Sequence, residues 1–503
     1  MPSLWISTFP LYILPLYLLW RKLHLWLAMR QAGCSPPISY KHTDPFLGTD
    51  LLSKKSAASQ NGDARAIDQS IFKTYGKTVR TTLLGKNYFL TMDSQNMQTI
   101  LAPSVEKFGN EPMNREACRP FLGDGIITTD GALWKRSRQL IIPLFTRAQI
   151  SELSTFSGHV ERMLERVPCD GEVVDMQPLL KMLFLDSSTE FIFGRSANAL
   201  KTDSQAEGSV AERLPVAFDD ALSGMRKRFM LPRVVLWIMP RDRKWLEKCA
   251  EVHAIIDGFI EEEMELQKRE KVASESSTPY RYVLLRELVK ITDDKLFIRN
   301  ELLNIFFPAR DTAGVLTGNV IFLLARHPHV WKKLRTEVLE IGQKSLSFEL
   351  LKSMKYLHAV INETLRILAP VDGSWKTCLA PCVLPQGGGP KGDKPILLQS
   401  GDQVELVFGA MHKDPMIWGE DAEDFVPERW EGRKQNWEYI PFMGGRRICP
   451  AQQNVLTDVA FVLVRLLQKF EGCENRDECV EHVDAQVFTK ESRNGVKVAF
   501  TLA

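Results

Sequence analysis

The 503-residue sequence has almost no excess of either charge. Its 64 Lys and Arg stand against 62 Asp and Glu, a formal net charge of +2, so nothing in it offers a nucleic-acid surface. It also lacks paired cysteines. There are nine, an odd number, and no Cys-x-x-Cys occurs. That excludes a zinc ribbon and gives no support to a disulfide framework, and most of the thiols read as reduced residues of a cytosol-facing protein. The stretch GGGPKGDK lacks the Gly-Lys-Ser/Thr of a phosphate loop and is expected to be a turn between strands. His327-Pro328-His329 has metal-ligating types but no third ligand nearby, and its proline is expected to end a helix. Beyond residue 40 no low-complexity linker or internal repeat divides the chain. What is present is an apolar fraction of 44%, enough for a large buried core.

The N-terminus stands apart. Leu4–Trp20 carries no charge. As a helix it would span about 26 Å, near the lower limit for crossing a bilayer. Pro10 and Pro15 would kink it, which membrane helices tolerate. Arg21, Lys22, His24 and Arg30 follow the run, and no basic side chain precedes it. A cleaved signal peptide would place its basic residues first. The positive-inside rule therefore predicts a retained transmembrane helix within residues 1–32, with the amino terminus in the lumen and the rest in the cytosol. Gly33–Tyr40, GCSPPISY, reads as a stiff hinge.

Residues 33–503 are dominated by helical patterns. Ser151–Val167, Lys244–Glu270 and Leu296–Pro328 are the long ones, and the last is apolar all round, as a buried central helix would be. Strand-like stretches are Arg80–Met92, Pro395–Phe408 and Val487–Leu502. The expected fold is mainly α with small β-sheets, in one domain. Its length is large for a single core unless a bulky cofactor sits inside.

Four separated segments suggest that cofactor. In PFMGGRRICPAQ, Phe442, Gly445, Arg447 and Cys449 form Phe-x-x-Gly-x-Arg-x-Cys. Glycines let the backbone turn tightly against a flat ring. A helix starting after Cys449 would aim amide N–H groups at the sulfur and stabilise a thiolate. Phe442 could pack beside it, and Arg447 could pair with a haem propionate. Alone, a cysteine in such a string is more often structural. In NETLRI, Glu363 and Arg366 share a helix face, a pairing that is often only a surface bridge. FVPERW adds Arg429, and two arginines around one carboxylate would make a charge-compensated knot. In LWKRSR, Trp134 and Arg138 at i and i+4 could address one propionate.

With these motifs in order from about Pro37 to the C-terminus, the chain resembles the cytochrome P450 family. Within it the chain is similar to fungal alkane and fatty-acid hydroxylases through FLGDGIITTDGALWKRSRQLIIPLF, DSSTEFIFG, NELLNIFFPARDT and LPQGGGPKGDKPIL. The resemblance implies haem b with Cys449 as axial ligand, and a structural knot of Glu363, Arg366 and Arg429. It implies O₂ activation and hydroxylation of an apolar substrate, a fatty acyl chain, terpenoid or polyketide, with a place in secondary metabolism. It also implies electrons from NADPH through a reductase, and a single-pass anchor in the endoplasmic reticulum membrane. Phe229–Pro240, an apolar stretch, would dip into that membrane, as the corresponding region does in anchored relatives.

The chain departs from the family pattern in places. Ala451 replaces a glycine, adding one methyl. Lys376 stands where relatives carry an arginine that reaches a propionate, keeping the charge but losing the fork. On the central helix, PARDTA supplies the acid–alcohol pair Asp311 and Thr312, but Ala313 lacks the second hydroxyl. Pro308 removes one N–H and clashes with the carbonyl of Asn304, so a kink is expected. A haem-thiolate isomerase or dehydratase, which needs no O₂, usually loses the acid–alcohol pair. A haem-binding sensor would not need it. Asp311 and Thr312 argue against both.

Overall fold

A computed structural model describes residues 16, 19–20, 22–44, 46–201, 209–229, 242–272, 282–342, 344–485 and 488–503. Apart from Leu16, Leu19 and Trp20, the apolar run Leu4–Trp20 lies outside them, as do residues 230–240 of the apolar loop. Residues 22–31 are helical. No helix among the described residues is long and apolar enough to cross a membrane.

The chain forms two compact units, each assembled from separated segments. One takes residues 1–54, 66–109 and 374–407 and holds a five-stranded sheet. Its strands run in the order Thr78–Leu83, Lys86–Thr91, Gln403–Leu406, Ser374–Cys378 and Phe108–Gly109. The first two form a hairpin over the strand-like stretch Arg80–Met92, with Thr78 opposite Thr91. Its turn forces Leu84 to φ 51° beside Gly85 at 77°. Tyr88 then pairs in parallel with Gln403. Pro395–Phe408 is not a hairpin. Its first half, Lys394–Leu398, pairs with Cys382–Gly388 in a separate two-stranded sheet. The glycine-rich segment is the turn of that ribbon, with Gly389 and Gly392 both at positive φ.

The other unit takes residues 55–65, 110–373 and 408–503 and holds nearly all the long helices. Ser154–Glu165 and Arg243–Val272 match the sequence patterns closely. Its centre is the helix Lys295–Arg326, of whose 32 residues 21 are buried. Asp294 caps it by accepting from Phe297 N at 3.1 Å. The helix runs unbroken through Pro308. It meets the helix Met176–Phe193 at Gly314, where a β-carbon would lie 3.3 Å from the Phe184 ring. His327 and Pro328 end it structurally: His327 Nδ1 lies 2.8 Å from Leu323 O, and Pro328 opens the next helix. The C-terminal stretch yields one strand, Lys497–Leu502, between Asp170–Asp175 and Phe470–Asn475. The polar first half of that stretch, Val487 aside, forms no strand.

Candidate active site

The cysteine loop is closed by one backbone bond, Cys449 N to Phe442 O at 3.0 Å. Between them Met443 and Gly445 take φ 66° and 62°, a double left-handed turn. At Gly444 a β-carbon would stand 2.5 Å from the Trp437 ring, so any side chain there would have to displace that ring. The chain then enters the helix Gln452–Lys469 with Ala451 as its N-cap at φ −89°. Alanine is unstrained at that angle, which accounts for the missing family glycine. Cys449 is half-buried. Burial raises its thiol pKa, while the N–H groups of Ala451 and Gln452 and the Arg138 guanidinium oppose the rise. Cys118, by contrast, is pushed up to about 12 by burial with only the distant Arg228 charge against it. Of the two, Cys449 alone is provided with donors for an anionic sulfur.

Beside the loop two guanidinium groups flank one indole. Arg447 lies 4.1 Å and Arg138 5.6 Å from the Trp134 ring centre. Arg138 also donates to Ile448 O at 3.1 Å, next to the cysteine. Arg447 is paired with Asp130, the residue that precedes the helix Gly131–Ile141. Asp130 further accepts from the N–H groups of Asn110 and Glu111. Arg138 has no carboxylate partner among the described residues, and burial lowers its pKa. The cluster thus holds two cations against one carboxylate. A thiol with two aimed N–H groups, set beside a guanidinium lacking an anion, fits the iron and carboxylates of haem.

The knot forms as expected and is larger. Glu363 and Arg366, on the helix Lys355–Ile367, have fully buried side chains joined at 2.8 and 2.9 Å. Arg429 Nε donates to Glu363 at 2.8 Å. Sequence reasoning missed Trp430 Nε1 and Val426 N, which donate to the same carboxylate at 3.0 Å each. It also missed His412. Arg366 donates to the His412 carbonyl at 2.9 Å, and the His412 ring accepts from Ile440 N at 3.0 Å. Burial and the Arg366 charge hold that imidazole neutral, its pKa lowered to about 3. The knot is thereby bonded to the backbone two residues before Phe442.

On the central helix Thr312 Oγ1 donates to Pro308 O at 2.9 Å. Asp311 is mostly buried, and burial raises its pKa against the opposing charges of Arg310 and Lys181. Lys376 belongs to the sheet unit. It is buried on Ser374–Cys378, with Nζ 3.2 Å from Ser374 Oγ.

Comparison with known proteins bears directly on this arrangement. The sequence pattern of the family Cytochrome P450 matches residues 55–498. The chain is 35% identical over 452 residues to cytochrome P450 monooxygenase apdE of Emericella nidulans, covering 88% of this chain and 85% of that one. It is 34% identical over 473 residues to cytochrome P450 monooxygenase iccC of Talaromyces variabilis, at 93% and 92%. It is 32% identical over 478 residues to cytochrome P450 monooxygenase tenA of Beauveria bassiana, at 93% and 92%. A helical protein of this kind, with its cofactor haem bound through a cysteine thiolate, is an oxidoreductase of the monooxygenase class. The chain belongs to the cytochrome P450 family.

Proposed function

We propose that this monooxygenase hydroxylates an apolar small molecule, a fatty acyl chain, terpenoid or polyketide, in the assembly of a secondary metabolite. Its electrons come from NADPH through cytochrome P450 reductase. Residues 1–32 anchor it in the endoplasmic reticulum membrane, and residues 33–503 form the catalytic part in the cytosol. The observation that carries the chemistry is the loop from Phe442 to Cys449, closed at 3.0 Å and followed by a helix whose first N–H groups face the sulfur.

Cys449 holds the iron. Phe442 and Gly445 shape the loop around the sulfur. Trp134, Arg138, Arg447 and Lys376 hold the propionates, with Arg138 offering the guanidinium that lacks an anion. Glu363, Arg366 and Arg429 are structural, fixing the backbone before the loop. Bound there, haem supplies reductive activation of O₂ and oxygen insertion into a C–H bond. The chain's own work is to exclude water and to move protons. Asp311 exchanges protons with the outside, and Thr312 orients the last donor by hydrogen bonding. Retention of this acid–alcohol pair supports a monooxygenase over the O₂-independent reading.

The reduced, CO-treated protein is expected to show the long-wavelength Soret band of a thiolate complex. Cys449→Ser should abolish it, and a band that survives the substitution would refute the assignment. Untargeted metabolite comparison between a deletion strain and its parent identifies the substrate.

A further inference from the structure

Arg310 immediately precedes the acid–alcohol pair, and its side chain is only 3% exposed. Two carboxylates share it. Its Nη1 donates to Asp219, on the helix Val210–Phe229, at 2.7 Å. Its Nε stands 3.5 Å from Asp311 Oδ1 without forming a hydrogen bond, and neither atom has another hydrogen-bond partner. The Phe218 ring backs the guanidinium at 5.2 Å. A buried cation thus lies between an outer carboxylate, 57% exposed, and an inner one, 15% exposed. An unmade bond between two buried, oppositely charged atoms is costly to keep. Here it persists because Asp219 holds the other edge of the guanidinium.

We propose that Arg310 is a positioning residue for Asp311, dividing its charge between Asp219 and Asp311 so that the outer ion pair sets how tightly the inner carboxylate holds a proton. This rests on the reading of Asp311 as the proton-exchanging acid. The other charged groups facing Asp311 are Lys181, on the helix Met176–Phe193, and Glu491, which Lys181 holds at 2.8 Å. Lys181 favours the Asp311 anion, whereas Glu491 and Asp219 disfavour it. Among the described residues Arg310 is the charged group within 4 Å of Asp311, so its allegiance should decide the balance.

The test is an infrared pH titration of the full-length, haem-loaded protein, following the protonated carboxyl band that Asp311→Asn removes. Arg310→Gln should move its midpoint to higher pH. Asp219→Asn should move it to lower pH, since Arg310 is then released to Asp311. In the Arg310→Gln background the Asp219→Asn movement should shrink, and Arg310→Lys should return the midpoint toward the parent. Independent charge effects on Asp311 would give the same two directions but leave the Asp219→Asn movement undiminished without Arg310, so the double variant is decisive. An Asp311 midpoint unmoved by Arg310→Gln, or an Asp219→Asn movement as large without Arg310 as with it, overturns the proposal. Should Arg310→Gln fail to fold, Asp219→Asn alone decides: a midpoint that stays or rises refutes it. The role of Asp311 is tested apart, since an unchanged yield of product per NADPH in Asp311→Asn would refute that reading and leave the titration result standing.

Discussion

Glu301 should make this protein less stable as the pH rises, and one substitution should remove the effect. The residue lies on the central helix, 2% exposed. Its Oε1 accepts from Ser137 Oγ at 2.6 Å, while Oε2 has no hydrogen-bond partner. Burial raises its pKa from 4.5 to about 7, against the smaller opposing effects of Ser137 and Arg136. Below pH 4.5 both folded and unfolded chains hold the proton, and the residue is silent. Between 4.5 and 7 the unfolded chain releases its proton first, so stability falls. Above 7 the loss is complete. Each pH unit between the two pKa values is worth about 1.4 kcal/mol, giving a loss of about 3 kcal/mol. Glu301→Gln cannot ionise, and its amide oxygen can still accept from Ser137. In urea titrations followed by circular dichroism, the variant should exceed the parent by about 3 kcal/mol at pH 8 and by less than about 1 kcal/mol at pH 5. A difference between variant and parent that does not widen with pH would refute the reasoning.

Glu363→Gln should weaken the knot by about 3–5 kcal/mol, because Arg366 and Arg429 are left buried without their shared anion; haem content per chain and the urea midpoint should both drop. Thr312→Ala should leave the CO spectrum intact, yet divert NADPH from product to hydrogen peroxide, because Ala313 offers no second hydroxyl. An unchanged product-to-NADPH ratio would assign the last proton to another donor. A chain beginning at Gly33 should keep the thiolate spectrum while losing much of its membrane association in flotation assays. Undiminished association would rule out the anchor within residues 1–32.

Much of the candidate site was legible because its members are close in sequence. Glu363 and Arg366 share one helical turn, and Phe442 to Cys449 is a single loop. The residues that went unread are joined across the chain. Trp430 is 67 positions from the carboxylate it bonds, and Asp130 is 317 from Arg447. No local pattern encodes such pairings. Arg310 was readable as a charged residue in an apolar helix, but its partner Asp219, 91 positions away, was not. The helix continues through Pro308. The carbonyl of Pro308 takes the Thr312 hydroxyl, so the turn after the proline is reinforced from the side chain. Strand identity was partly visible as β-branched runs. Sheet membership was not, and Pro395–Phe408 supplies strands to two different sheets.

The order of the five-stranded sheet has a consequence for biosynthesis. Lys86–Thr91 finds its inner neighbour only at Gln403–Leu406, and Phe108–Gly109 waits for Ser374–Cys378. As the chain leaves the ribosome, the first hairpin therefore carries an open edge while more than 300 further residues are translated. At about 5–20 residues per second that is roughly 15–60 seconds. Throughout that interval Leu90 and Phe89, buried in the finished protein, belong to a strand open along one edge that could template association with another nascent chain. Slow synthesis or crowded polysomes should lower the soluble yield of this protein, and added chaperone capacity should restore it.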